Sequence, residues 1–190
     1  MTERPILFTP ENAQKCHEGT KTQTRRIIKP QPISISWFEH QNGWCARVRE
    51  DTGSAESPAY VMVPCPYGIV GDRMWVRETW AKRGEMQSAI FKAEEKRAIG
   101  AYGCVKWKPS IHMPKWACRT WLEITEIRVQ RLQEISEDDC YAEGLQRGMV
   151  DDRSDAMQSW YRELWESING PGSWATNPWV WAITFRKVQP

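Results

Sequence analysis

A lysine and a threonine stand three residues apart in the segment Gly19-Thr20-Lys21-Thr22-Gln23-Thr24-Arg25-Arg26, with two arginines directly after them. A threonine hydroxyl is a weak nucleophile until a neighbouring base takes its proton. A lysine is such a base only when neutral, and cations such as Arg25 and Arg26 beside it favour the neutral amine. The guanidinium groups also suit a phosphate or a polarised carbonyl oxygen. Without any chemistry the same segment is a basic turn with an exposed lysine, which is where lysine usually sits.

The elements around this turn are legible. Ile6, Leu7 and Phe8 read as a short strand. Thr9 then caps a helix that has Pro10 at its first position and Glu11 in its first turn, and Gly19 suits a left-handed helix end. Thr22 to Ile28 is rich in β-branched residues and stops at Lys29-Pro30-Gln31-Pro32. Lys21 and Thr24 therefore fall where the chain leaves a helix and enters a strand, a place that often faces a cleft.

Further on, Ile33–Phe38 and Trp44–Val48 predict a hairpin across Asn42-Gly43. Tyr60–Val63 is a further short strand. Gly71-Asp72 turns into a strand over Met74–Trp80 whose apolar residues do not share one face, which predicts burial on both sides. Helix propensity is moderate over Met86–Ala98. Ser110–Trp116, with His112, reads as an ordered loop between prolines. A long strand spans Arg119–Val129, and Ser136 with Asp139 forms a capping-box pattern for a short helix ending at Gly144. Met157, Trp160, Tyr161, Leu164, Trp165 and Ile168 keep helical spacing, and a last strand runs through Trp179–Phe185. Many short strands, a few helices and no βαβ rhythm give an α+β fold, a small barrel with helices outside it.

Taken in order, the Lys21-x-x-Thr24-x-Arg26 turn, Gly71-Asp72-Arg73-Met74-Trp75-Val76-Arg77-Glu78, the long strand, and Ser136-Glu137-Asp138-Asp139-Cys140-Tyr141-Ala142-Glu143-Gly144 resemble the ASCH family of the PUA-like superfamily. The tryptophan-rich form looks like the longer ASCH proteins of bacteriophages and prophages. The resemblance covers most of the chain and is weakest at residues 31–66 and 83–110, which read as insertions in one domain spanning residues 1–190. It implies a PUA-like barrel. Some ASCH proteins hydrolyse the acetyl amide of N(4)-acetylcytidine with a lysine, a threonine and a glutamate. By that resemblance the catalytic residues fall on Lys21, Thr24 and Glu143. Arg25, Arg26, Thr22 and Trp75 are the candidates for contacting substrate. Amide hydrolysis by such a set needs an activated nucleophile, a proton for the leaving amine and a holder for the oxyanion, and it requires no metal or cofactor. The family also includes readers of RNA and modified bases, and some members are linked to RNA cleavage. A non-catalytic nucleic-acid or modified-base-binding module, or a nuclease, therefore stands beside the amidohydrolase as an alternative. The partner class is a nucleoside or a single-stranded nucleic acid, RNA before DNA. An open groove lined by Arg25, Lys106, Lys108, Lys115 and Arg119 would favour the strand binder.

Composition limits the setting. A net charge of +2 gives no strong basic field, so a nucleic-acid partner would need a local patch. The six cysteines are scattered with no Cys-x-x-Cys pair, and no apolar run reaches the length of a membrane span; the expectation is a reduced, cytoplasmic protein. Cys104, His112 and Cys118 match no familiar zinc spacing. Of the twelve tryptophans, Trp75, Trp80, Trp121, Trp160, Trp165, Trp179 and Trp181 fall on periodic patterns and are expected in the core. Trp37, Trp44, Trp107, Trp116 and Trp174 lie in less regular segments. The sequence does not set the oligomeric state.

Overall fold

The computed structural model describes residues 1–32, 34–38, 43–49, 60–83, 88–97, 105–151 and 153–189. Strand β1 (Glu3–Leu7) leads into helix α1 (Pro10–Glu18). The Thr9 hydroxyl accepts the Asn12 N–H at 3.3 Å, and Gly19 ends the helix at φ 80°. That backbone region costs a Cβ-bearing residue energy, hence glycine. Strand β2 (Gln23–Ile27) follows.

Strands β3 (Ser34–Phe38), β4 (Gly43–Arg49) and β5 (Tyr60–Pro64) form a separate antiparallel sheet. Gly43 is already paired with Phe38 as the first residue of β4. The connection is therefore residues 39–42, not a two-residue turn at Asn42-Gly43, and its conformation lies outside the described residues.

Strand β6 (Arg73–Arg77) is shorter than expected and buries one face only, through Met74 and Val76, while Trp75 is half-buried. The chain leaves the sheet at Glu78, whose buried carboxylate is held by Arg119 at 2.8 and 3.0 Å. Trp80 begins a new strand, β7 (Trp80–Lys82), paired with β8 (Ala89–Phe91). Lys92–Arg97 is 3-10 helix. The helix expected over Met86–Ala98 is thus replaced, in its described part, by a strand and a 3-10 segment. Phe91 packs with Trp80, Met113 and Ala117, and this burial with the β7 pairing overrides local propensity.

Strand β9 (Trp121–Arg131), α2 (Glu137–Ala142), α3 (Ser154–Asn169) and β10 (Trp179–Val188) complete the chain. The main sheet has the order β1-β6-β9-β10-β2, with β1 and β6 parallel and the other pairs antiparallel. This is a mixed α+β fold. Among the described residues no strand ladder joins β1 to β2, so the expected barrel is not closed by hydrogen bonding. One core cluster places α1 residues Ala13 and Cys16 against Met74, Leu122, Ile124 and Ile183. A second places Met157, Tyr161 and Trp165 of α3 against Leu132, Ile135 and Val180. Edge strand β2 runs past both. Trp80, Trp121, Trp165 and Trp181 are buried, whereas Trp75, Trp160 and Trp179 are half-buried. Trp116 is 44% exposed and stands edge-on to Trp80 at 5.6 Å. No helix among the described residues is long and apolar enough to cross a membrane.

Candidate active site

The turn after Gly19 is fixed by backbone. The N–H groups of Thr20 and Lys21 both return to the Lys15 carbonyl at 3.0 and 3.2 Å. Thr22 donates to the Ala142 carbonyl at 2.8 Å and accepts from the Phe185 N–H at 2.8 Å, which pins this turn between α2 and β10. On the other side, Ser136 and Asp139 form the capping box of α2, and Glu143 is its C-terminal cap. Gly144 follows at φ 104°, with Lys15 donating to its carbonyl at 2.9 Å. Two local stops, one after each helix, thereby bring Lys21 and Glu143 together across 122 residues.

Lys21 is 2% exposed. Its ammonium donates to the Glu143 carbonyl oxygen at 2.8 Å and to Glu143 Oε2 in a short ion pair. The expectation of an exposed lysine is therefore corrected: tertiary packing of α2 onto the turn buries it. Glu143 Oε1 accepts from Arg25 Nη1 at 3.1 Å and from the Tyr161 hydroxyl at 3.3 Å. Arg25 also donates to Asp139 Oδ2 at 2.7 Å and to Gln23 Oε1 at 2.6 Å. Gln23 and Arg128 donate to Asp139 Oδ1 at 3.0 and 2.6 Å. Gln23 and Arg25 share this face because side chains alternate along β2, and Lys21 reaches it from the turn before the strand. The electrostatics follow from these contacts. Burial raises the pKa of the Asp139 carboxyl, but Arg25, Arg128 and Gln23 outweigh it and bring it to about 2. Burial pulls the Arg25 guanidinium down, but Glu143 and its other anionic neighbours hold it above its ordinary value. Burial, reinforced by the Glu143 charge, pushes the Tyr161 phenol well up, so it stays a hydrogen-bond donor.

Lys21, Thr24, Arg25, Arg26 and Glu143 line one cavity of about 590 Å³. It lies between the end of β1 and edge strand β2, with α1 and α3 as further walls. Thr24 is 5% exposed, and among the described residues its hydroxyl makes no hydrogen bond, including to Lys21. Arg26 spans the cavity edge: Nη2 donates to the Leu7 carbonyl at 2.6 Å, and the guanidinium stacks 5.0 Å from the Phe8 ring centroid.

Two expected substrate contacts lie elsewhere. Thr22 is not in the cavity wall; its backbone N–H and carbonyl hold the turn between α2 and β10. Trp75 is not in the wall either, because it sits on β6 against Arg77, whose guanidinium is 5.3 Å from its ring. Of the residues named for a basic groove, Arg25 is buried in ion pairs, Arg119 is held by Glu78 and Glu94, Lys115 pairs with Glu3, Lys108 lies over Trp80, and Lys106 is exposed. His112 is exposed, Cys118 donates to the Thr120 carbonyl at 3.2 Å, and Cys104 lies outside the described residues. Among the described residues no three His, Cys, Asp or Glu side chains are grouped to hold a metal ion. Sequence reasoning missed Gln23, Asp139, Tyr161 and Arg128. Asp139 was masked by its capping role and Tyr161 by its place in the apolar stripe of α3. A buried tyrosine in such a stripe needs a partner for its hydroxyl, and that requirement was the available signal.

No known sequence family matches the chain, and no curated protein matches it in sequence. Among solved structures it is similar to an ASCH domain from Lactobacillus crispatus JV V101, with 12% identity and a TM-score of 0.43 over 98% of this chain and 79% of that one. It is also similar to a DUF984 protein from Enterococcus faecalis V583, with 10% identity and a TM-score of 0.42 over 99% of this chain and 80% of that one. At such scores the likeness assigns no activity, and the chemistry of the cavity carries the functional case.

Proposed function

We propose that this protein hydrolyses the amide of an acylated base of the N(4)-acetylcytidine kind, with Lys21, Thr24 and Glu143 as its catalytic residues and no metal in the reaction. The observation that carries the reading is the Lys21–Glu143 ion pair in the wall of a cavity that also holds the unengaged Thr24 hydroxyl. The cavity volume of about 590 Å³ suits one small ligand better than a polynucleotide. In this mechanism Lys21 passes a proton to Glu143 Oε2 within the pair. The neutral amine then takes the proton of Thr24 or of a water beside it, and that oxygen attacks the acyl carbon. Arg26 holds the oxyanion, using guanidinium N–H groups not bonded to Leu7. The proton returns through the Lys21–Glu143 pair to the departing exocyclic nitrogen as the C–N bond breaks. Where water attacks, the products are the free base and a carboxylate; where Thr24 attacks, the acyl group stays as an ester on its oxygen, and a water deprotonated by Lys21 then hydrolyses that ester to the carboxylate and free Thr24. Arg25 and Tyr161 both donate to Oε1 and so fix the carboxylate beside Lys21.

The test is incubation of the purified protein with a panel of acylated nucleosides, followed by mass spectrometry of the products. Release of the free nucleoside and the carboxylate is expected. Absence of turnover across the panel, together with salt-dependent RNA or DNA binding, would replace the reading with that of a binding module.

A further inference from the structure

Asn12 is a buried polar residue that the mechanism above does not use. It is 5% exposed and lines the same cavity from the first turn of α1. Its backbone N–H is satisfied by the Thr9 cap, but among the described residues its carboxamide makes no hydrogen bond. The local role open to it is unused. Three residues after the cap, a longer side chain such as glutamine would turn back to the N–H of residue 9 and complete a capping box. The Asn12 carboxamide atoms are not among the fully enclosed polar atoms that lack a partner, so they face the cavity, where water or a ligand can reach them. A residue kept polar at this depth, on the wall of a cavity and without a protein partner, is matched to something that enters the cavity.

We propose that Asn12 reads the ligand's base edge, its carboxamide accepting from an exocyclic N–H and donating to the adjacent ring nitrogen. This side-by-side donor and acceptor is the pattern that an asparagine side chain matches bidentately, and an N(4)-acylated cytosine presents it at N4 and N3. The inference rests on the cavity being the base-binding site of the proposed hydrolase, and it narrows the substrate to heterocyclic amides with a ring nitrogen beside the amide. Simple anilides lack that nitrogen. Asn12 thus sets which amide is held, while Thr24 and the Lys21–Glu143 pair act on it.

Cytidine binding measured by titration calorimetry separates this inference from the activity itself. The full chain and its Asn12→Leu variant are each titrated with cytidine and with 3-deazacytidine, which has carbon in place of the ring nitrogen. Wild-type protein is expected to bind cytidine about tenfold or more tightly than either the variant does or than it binds the deaza analogue. The variant is expected to bind both compounds alike. Thermal unfolding serves as the structural control: the leucine variant should unfold no earlier than wild type, because it replaces an unpartnered polar group with an apolar one. Equal cytidine binding by wild type and variant, undetectable binding by wild type, or a variant that no longer folds overturns the inference. Turnover of acylated nucleosides is scored separately. Loss of the base-edge preference in an active enzyme would sink the Asn12 assignment alone, and retention of that preference in an inactive protein would sink the hydrolase reading alone.

Discussion

Glu143 holds the site together at the level of single residues. Its carboxylate receives Lys21, Arg25 and Tyr161, and no bulk water is on hand to replace them. Glu143→Gln keeps the shape and removes the charge, leaving Lys21 without its counter-ion. We expect the rate to fall more than the apparent substrate affinity, and stability to fall by about 3 kcal/mol, as thermal unfolding would record. Lys21→Ala should cost stability as well as activity, because it strips a partner from a buried carboxylate. Asp139 sets the acid limit. Its folded-state pKa of about 2 lies below the ordinary carboxylate value. The stability it contributes is therefore complete above pH ~4 and lost as pH falls toward 2. Denaturant midpoints measured from pH 5 to pH 2 should fall in wild type and fall less steeply in Asp139→Asn. Equal slopes would show that Asp139 is not the sensor.

The site is made by element ends. Gly19 closes α1 and Gly144 follows the cap of α2, and both lie in the left-handed region. A Cβ on Gly144 would meet Lys15 Cδ at 2.9 Å, next to the backbone that carries Glu143. Gly144→Ala should destabilise by roughly 1–2 kcal/mol and lower activity with it, whereas a variant with wild-type melting would remove the argument from backbone conformation. These ends were legible in the sequence because caps are local: Thr9-Pro10, Gly19 and Ser136 with Asp139 each need only their neighbours. The apolar stripe of α3 and the lengths of β9 and β10 were legible for the same reason. What escaped was set by distant partners. The break of the expected Met74–Trp80 strand depends on Arg119 holding Glu78 from 41 residues away, and the strand β8 depends on β7. The burial of Lys21 depends on a glutamate 122 residues on. Propensity cannot report contacts of that range.

For the molecule as a whole, topology leaves two sheet edges, β1 and β2, and the cavity occupies the space between them. The order β1-β6-β9-β10-β2 puts chain segments from both ends of the sequence on its rim. Thr79 and Ser110 also reach the cavity wall. A cavity of a size for one small ligand, with an ion pair and the Thr24 hydroxyl in its wall, is the arrangement the amide-hydrolysis account depends on. The most direct test is the initial rate of cytidine release from N(4)-acetylcytidine by wild type, Thr24→Ala and Thr24→Ser. Among the described residues the Thr24 hydroxyl bonds to no protein group, but its methyl is buried, so each variant should lose only roughly 1 kcal/mol of stability and stay folded in the assay. The account predicts release by wild type, a partial rate for the serine variant and loss of at least ~100-fold for the alanine variant. Release at the same rate from the alanine variant, or no release from wild type, would contradict it.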